Sequence, residues 1–523
     1  MGNEVTYDNA SSAELISPKE SSDGPQTIHG GDTQDIGCHS NSTQLSAFSN
    51  NKNAEILEKY EKDYPVGPHD KQQSMCPAFG SLRVGLRMKR VATVLSGSAC
   101  CVYGLSFVSH FYGARRSVGY VPFNSESLVT GKLFEDIRDA VHDMADPKNY
   151  DAIVVTNLCV PTASGVPLRL LPNEINGVRI IGIDVPGFGV PTHAEAKDIL
   201  AGAMLNFARQ EVEAGPVAAP SSGKSDRPTL AMLGEMFPAD PMVIGSILAP
   251  MDLAAGPVLP AREWREMYAA LDCSAVAAIH PFYTATMREF DAAGRPSIGS
   301  APVGYEGTAS WLESVGEVFG VSKAKVSKAK NAVLPNIKKS IKDNKLKGRI
   351  TVSGYEGSEL IVARLLSESG IDVPYVGTAC PRTPMAAQDA QWLEAKGAVV
   401  KFRASLEDDI SAAEALEPDL AIGTTPLVQH FKQKGKSALY FTNLVSARPL
   451  MGQAGVGSFN QLINGVLNNS EKMQSLQNFF EGVGSDDTSG VWEGEPNLRP
   501  EFRAQHQKKL EKAARAAKAA EMI

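Results

Sequence analysis

The sequence lacks an uninterrupted apolar stretch long enough to cross a bilayer, which takes about 20 residues. The best candidate, Met242–Leu259, contains an aspartate and two prolines. A basic-then-apolar signal peptide is also missing from the N-terminus. These absences predict a cytoplasmic protein with no membrane span.

An excess of positive charge is missing as well. The 51 Lys and Arg residues are outnumbered by 59 Asp and Glu residues, which gives a net charge of −8. Nucleic acids are bound by concentrated basic surfaces. The one basic cluster, Lys508–Lys518, is interleaved with alanines and is typical of a solvated helix face. No nucleic-acid partner is therefore expected.

Complete nucleotide-binding motifs are absent too. Gly223–Ser225 resembles the end of a P-loop, but Ala218 stands where the first glycine is required and no strand precedes the run. Gly187 and Gly189 are not followed by the third glycine of a dinucleotide-binding turn. We expect this chain to bind neither ATP nor NAD by these routes.

What the sequence does contain is a repeated alternation of short β-branched runs with amphipathic segments. Near-continuous runs of this kind are typical of parallel strands that are covered on both faces. The predicted strands are Arg90–Leu95, Ala152–Val155, Val178–Ile183, one that starts at Thr229, Arg349–Val352, Val399–Phe402, Leu420–Gly423 and Ala438–Phe441. This pattern predicts an α/β fold with three doubly wound, Rossmann-like domains.

Composition sets the expected limits of these domains. Large apolar residues are few at the N-terminus, so that part is predicted to be a polar, disordered tail. A segment rich in Pro, Gly and Ser separates the first two domains. The predicted limits are 1–70 for the tail, 71–215, 228–322 and 345–470 for the three domains, and 471–523 for a C-terminal helical extension.

The seven cysteines include no closely spaced C-x₂-C pair. Disulfides are rare in the cytoplasm, so core packing, metal binding and catalysis are the remaining roles. Cys76, Cys101 and Cys159 all fall in predicted irregular segments near strand ends of the first domain, where thiolates can converge on iron. Their separations of 25 and 58 residues favour plain core thiols when spacing alone is considered.

The residues around these cysteines carry a family resemblance. The matching segments are Cys76–Gly80, Leu95–Leu105, Asn157–Pro161, Ser109–Arg116 and Gly119–Asn124. They resemble the nitrogenase-like oxidoreductases and, within that family, the chlorophyllide a reductases. The resemblance covers about residues 70–500.

The resemblance implies a fold of the nitrogenase MoFe-protein type and a [4Fe–4S] cluster at a subunit interface. Cys76, Cys101 and Cys159 would supply three ligands, and a related partner chain in a heterotetramer would supply the fourth. The implied reaction is reduction of the C7=C8 bond in ring B of chlorophyllide a. A separate homodimeric ATPase would deliver the electrons, which agrees with the missing P-loop.

One ligand assignment stays ambiguous. In protochlorophyllide-reducing relatives the second cysteine is followed by one small residue and an aromatic, which fits Cys101-Val102-Tyr103. In nitrogenase the aromatic comes one place later, which would favour Cys100. We expect Cys101 to be the ligand, with Cys100 as the alternative.

For the other polar residues, the sequence gives weaker support for a functional role. Cys273 and Cys380 are predicted to be structural thiols, although Cys380 could also face solvent. His280 and His430 are expected to be satisfied core histidines. Glu356, His280 and a group of the substrate or partner are open alternatives for the proton donor that a C=C reduction requires.

Two further readings of the whole chain remain. A protochlorophyllide-reductase-type subunit or a nitrogenase-like assembly scaffold would carry the same three cysteines. A non-enzymatic α/β ligand-binding protein would also use paired α/β domains, but it would need an export signal.

Overall fold

The computed structural model describes residues 76–99, 101–105, 118–217, 225–234, 241–446, 449–471, 508 and 511–512. The predicted N-terminal tail and most of the predicted C-terminal extension lie outside these residues. So do Cys38, Cys100 and nearly all of the P-loop-like run.

The first block of the chain builds a sheet with the order β2-β1-β3-β5-β4. Its strands are β1 (Val91–Ser96), β2 (Val118–Val121), β3 (Ala152–Asn157), β4 (Glu174–Ile175) and β5 (Val178–Asp184). The associated helices are α1 (Ala78–Arg87), α2 (Ser125–Val129), α3 (Lys132–Met144), α4 (Cys159–Ala163) and α5 (His193–Ala214). All neighbouring strands are parallel except β4, which pairs antiparallel with β5.

The second block forms a parallel sheet with the order β7-β6-β8-β9. Its strands are β6 (Thr229–Leu233), β7 (Ala254–Leu259), β8 (Ala275–Ala278) and β9 (Ser297–Gly299). The helices of this block are α6 (Pro241–Leu248), α7 (Trp264–Leu271), α8 (Ala285–Ala292), α9 (Tyr305–Val318) and α10 (Lys323–Asp343).

The third block forms a parallel sheet with the order β12-β11-β10-β13-β14. Its strands are β10 (Ile350–Gly354), β11 (Tyr375–Thr378), β12 (Val399–Phe402), β13 (Leu420–Gly423) and β14 (Ala438–Tyr440). The helices are α11 (Glu359–Glu368), α12 (Ala387–Ala395), α13 (Leu406–Leu416), α14 (Thr425–Gln433), α15 (Phe441–Ser446) and α16 (Gly452–Leu467).

The predicted α/β class with three doubly wound sheets is confirmed, and every strand pair except β4–β5 is parallel. Every residue of β1 and β3 is buried, as expected for strands that carry helices on both faces. Buried side chains of the first and second sheets share one hydrophobic cluster that includes Leu95 and Ala231. A second cluster joins the second and third sheets through residues such as Trp311 and Val352. The domain limits given above stay a prediction.

Among the helices of the described residues, none combines the length and the apolarity that a membrane span requires.

The contact between α1 and α5 is close because Gly80 has no side chain. A Cβ atom at this position would lie 2.2 Å from the backbone oxygen of His193, the first residue of α5. Backbone atoms cannot move aside as a flexible side chain can. The helix that follows Cys76 is thereby held directly against the start of α5.

Gly80→Ala is expected to destabilise the fold by about 1–3 kcal/mol, as overpacking in a core does. The midpoint of urea unfolding should fall. Gly465→Ala on α16 is the matched control, because a Cβ atom there meets nothing within 4 Å. That change should be neutral or stabilise the helix by about 0.5–1 kcal/mol. Equal midpoints for the two variants would contradict the close contact.

Candidate functional site: a cysteine cluster at one sheet edge

The three predicted cysteines lie at the carboxyl edge of the first sheet. Cys76 directly precedes Pro77, the N-cap residue of α1. Cys101 follows β1 in a helical segment, and Cys159 is the first residue of α4, directly after β3. Because β1 and β3 are parallel neighbours, their carboxyl ends meet at the same edge. All three thiols are half-buried and form no disulfide.

The prediction that all three cysteines occupy irregular segments is wrong for Cys101 and Cys159. Each of these residues lies in a helical turn. The residues that follow β1 and β3 are small and mixed, so their sequence shows no helical periodicity and does not predict the short helices. Cys159 is thereby placed at the start of a helix, where backbone N–H groups have no partner within the helix.

Each cysteine sulfur accepts a hydrogen bond. The N–H of Ala78, at the start of α1, donates to Cys76. The hydroxyl of Ser98 donates to Sγ of Cys101 at 3.1 Å, and the N–H of Gly187 donates to Sγ of Cys159 at 3.1 Å. Donors of this kind stabilise thiolates, and hydrogen bonds to sulfur also tune iron–sulfur clusters.

The thiols lie within electrostatic reach of one another. Burial raises the pKa of Cys76 above its ordinary value, and the thiolates of Cys159 and Cys101 raise it further. The hydrogen bond from Ala78 opposes the rise. Bound iron would remove the repulsion, because each positive iron centre stabilises its thiolate ligand.

The arrangement does not fit a single metal ion. In the part of the chain that the structure describes, no group of three or more His, Cys, Asp or Glu side chains is placed to hold one ion. An iron–sulfur cluster has a different requirement, since its cysteine ligands bind separate iron atoms and need not converge on one point. Three thiols, each of which accepts one hydrogen bond at its sulfur, therefore suit three corners of a cluster.

Exposed apolar side chains stand beside the cysteines. Tyr103 is 78% exposed, Phe188 is 67% exposed and Val160 is 38% exposed. Tyr103 lies two residues after Cys101, Val160 follows Cys159, and Phe188 follows Gly187. We call these three residues the apolar rim. An exposed apolar group of this kind is typical of a surface that a partner protein covers.

Gly187 has a function that the sequence analysis missed. The Gly187–Gly189 run lacks the third glycine of a dinucleotide-binding turn. In the structure, the backbone N–H of Gly187 donates to Sγ of Cys159. A Cβ atom at this position would be in ordinary contact with the sulfur, at 3.4 Å. Ser98 was missed as well, and its position three residues before Cys101 was the available signal.

Glu356 is buried after β10 and forms an ion pair with Lys197, with 3.1 Å between Oε2 and Nζ. Burial alone would raise the pKa of Glu356, but Lys197, Arg83 and His193 overcome that effect and hold the pKa well below its ordinary value. Glu356 is therefore ionised at neutral pH and has no proton to give. The alternative that Glu356 is the proton donor is not supported.

The other polar candidates differ in burial. His280 is buried, and its backbone N–H donates to Leu233. The prediction that His430 is a core histidine is wrong, because its side chain on α14 is 32% exposed and its Nε2 lies 2.7 Å from Oε1 of Glu414. Cys273 and Cys380 are buried, and burial raises the pKa of both thiols. The alternative that Cys380 faces solvent is wrong.

Comparison with known proteins identifies the family of the chain. The family described as nitrogenase component 1 type oxidoreductase matches residues 76–468. The chain is 71% identical over 488 residues to the chlorophyllide reductase 52.5 kDa chain of Cereibacter sphaeroides, covering 93% of this chain and 97% of that protein. The corresponding chain of Rhodobacter capsulatus is 68% identical, with 93% and 98% covered.

More distant proteins share less of the chain. The light-independent protochlorophyllide reductase subunit N of Bradyrhizobium is 24% identical over 304 residues, covering 57% of this chain and 68% of that protein. The solved structure of nitrogenase Cp1 at pH 6.5 superposes with a TM-score of 0.59 at 14% identity, covering 82% of this chain and 97% of that one. That likeness shows the fold alone. By sequence and by fold, the chain belongs to the nitrogenase component 1 type oxidoreductases, the family that matches three quarters of its length.

Proposed function

We propose that this chain is the Y subunit, the alpha-type chain, of chlorophyllide a reductase. The reaction is reduction of the C7=C8 double bond in ring B of chlorophyllide a, a step in bacteriochlorophyll biosynthesis. Two chlorophyllide reductase chains at 71% and 68% identity support the substrate. The observation that carries the proposal is the gathering of Cys76, Cys101 and Cys159 at one sheet edge, each with a hydrogen-bond donor to its sulfur.

The site on this chain is half of a complete centre. Three thiols leave one corner of a [4Fe–4S] cluster without a ligand, since such a cluster takes four. The Z subunit of the reductase would supply the fourth ligand and complete a heterotetramer. The apolar rim around the cysteines supports docking at this face, because its burial would exclude water from the cluster.

The residues of this chain have defined tasks in that centre. The thiolates hold the iron, while the Ser98 hydroxyl and the Gly187 N–H stabilise the negative charge on two of the sulfurs. We assign the second ligand to Cys101, because one small residue and an aromatic follow it, as in the protochlorophyllide-reducing relatives. Its sulfur accepts a hydrogen bond from Ser98. When bound, a [4Fe–4S] cluster supplies the transfer of single electrons.

Electron supply is assigned to another protein. A homodimeric, ATP-dependent iron–sulfur subunit, X, would hydrolyse ATP and deliver electrons to the heterotetramer. This division agrees with the incomplete nucleotide motifs of the present chain. Reduction of one C=C bond consumes two electrons and two protons, so X would dock and deliver twice for each product.

The other readings have less support. Similarity to a protochlorophyllide reductase subunit is 24% over 57% of the chain, far below the similarity to the chlorophyllide reductase chains. An assembly scaffold would need the same cysteines, and no feature of the described residues favours it. A non-enzymatic ligand-binding protein disagrees with membership of an oxidoreductase family.

Pigment analysis tests the proposed substrate. Deleting the gene in a host that makes bacteriochlorophyll should cause chlorophyllide a to accumulate, and a plasmid copy of the gene should restore the pigment. Extracted pigments can be separated by chromatography and identified by their absorption spectra. Accumulation of protochlorophyllide would instead favour the protochlorophyllide-reducing alternative and contradict the proposal.

A further inference from the structure

Three charged side chains meet between elements of the first and third blocks; two of them, Lys197 and Glu356, are buried, and Arg83 is 23% exposed. Lys197 of α5 is 1% exposed and pairs with Glu356, which follows β10. The second cation is Arg83 of α1, whose Nη1 lies 3.7 Å from the same carboxylate oxygen. Thr442 donates to the other carboxylate oxygen at 3.2 Å. We call Arg83, Lys197 and Glu356 the charge cluster.

Stability alone does not account for the charge cluster. Removing ions from water costs several kcal/mol each, and buried ion pairs are often no more stabilising than apolar residues of the same volume. The Lys197 and Glu356 side chains both lose nearly all contact with water. The charge cluster holds two cations and one anion, and the buried carboxyl of Glu359 is close enough to interact with the charge of Glu356.

The elements that hold the charge cluster also hold the cysteine site. Arg83 lies on α1, five residues and about 8 Å along the axis from its first residue, Ala78. Cys76 directly precedes Pro77, the N-cap residue of the same helix. His193, one turn before Lys197 on α5, packs against the ring of Phe79 with 6.1 Å between ring centroids. The backbone oxygen of His193 is also the atom that lies 2.2 Å from a Cβ atom placed at Gly80.

We propose that the charge cluster sets the reduction potential of the iron–sulfur cluster bound at Cys76, Cys101 and Cys159. This inference rests on the proposed function. Reduction adds a negative charge, so a nearby cation favours the reduced form and a nearby anion favours the oxidised form. In a medium of low dielectric, a unit charge at this range has a sizeable effect. Lys197 acts mainly by keeping Glu356 in place and ionised.

The test compares variants that change charge in opposite directions. Arg83→Met removes a cation that does not titrate in proteins, and Glu356→Gln removes the anion with little change of shape. Each variant is purified anaerobically in complex with the partner chain. Iron content and the midpoint potential, from an EPR-monitored redox titration, are then measured.

Arg83→Met should move the midpoint potential in the negative direction, and Glu356→Gln should move it in the positive direction. Each shift should change the ratio of reduced to oxidised cluster about tenfold at a fixed potential, or about 59 mV for one electron. Arg83→Lys keeps the charge and should keep the potential. Asp372→Asn is the distant control, because Asp372 pairs with Arg349 at the opposite end of β10.

The outcomes separate this inference from the proposed function. Shifts of the same sign, or unchanged potentials at full iron content, would overturn the role of the charge cluster. A purely structural role predicts loss of iron in both variants without opposed shifts. If the unaltered complex contained no iron–sulfur cluster, the proposed function would fail instead.

Discussion

Replacing Cys76, Cys101 or Cys159 with serine is expected to remove most of the bound iron and at least about 99% of the reductase activity. A serine hydroxyl is a much poorer ligand for iron than a thiolate, which is the soft donor that iron–sulfur clusters use. The half-buried positions should tolerate serine without unfolding, because the two side chains have the same shape. Iron content, EPR and turnover of the partner complex measure the effect.

Two other cysteines provide controls for that experiment. Cys100→Ser should retain the cluster, since we assign the second ligand to Cys101. Cys273→Ser should retain it as well, because Cys273 is a buried thiol of the second block. Full iron in the Cys101 variant together with loss of iron in the Cys100 variant would reverse the ligand assignment. Full iron in all three ligand variants would contradict the site.

Replacing Phe188 with aspartate is expected to prevent the partner chain from binding. Phe188 is 67% exposed and follows Gly187, whose N–H bonds to the Cys159 sulfur. Aromatic residues at the centre of an interface commonly contribute 2–4 kcal/mol or more, and a buried unpaired carboxylate adds a desolvation cost. Affinity for the partner should fall by about 30-fold to 1000-fold.

The matched control for Phe188→Asp is Val212→Asp. Val212 is also exposed, at 41%, but it stands 19 residues after the start of α5, about 28 Å along the helix from the cysteine edge. Co-purification and analytical ultracentrifugation measure the complex, and circular dichroism reports the fold. Undiminished association of the Phe188 variant would rule out docking at the apolar rim.

Sequence patterns predicted the fold well where strands are built from large β-branched residues. The runs at Val91–Ser96, Ala152–Asn157 and Val178–Asp184 form the three parallel strands that place the site. The strands Ala275–Ala278 and Ser297–Gly299 consist mainly of small residues. Their local preference for a strand is weak, and burial between helices decides their conformation.

The site was predictable only in part. Spacing of the cysteines gave a weak signal, and the family resemblance made the three-ligand set specific. The structure also identifies the groups that donate hydrogen bonds to the cysteine sulfurs. One of them, the N–H of Gly187, lies in a loop 28 residues beyond Cys159. The Lys197–Glu356 pair joins residues 159 positions apart. Such contacts depend on how the sheets pack, and no local pattern in a single sequence encodes them.

The central claim is that this chain contributes three ligands to an iron–sulfur cluster shared with a partner. The most direct measurement is the iron and acid-labile sulfide content of the anaerobically co-purified complex, together with its EPR spectrum after reduction. We predict about four iron atoms for each pair of unlike chains. A stable complex that contains no iron would contradict the account.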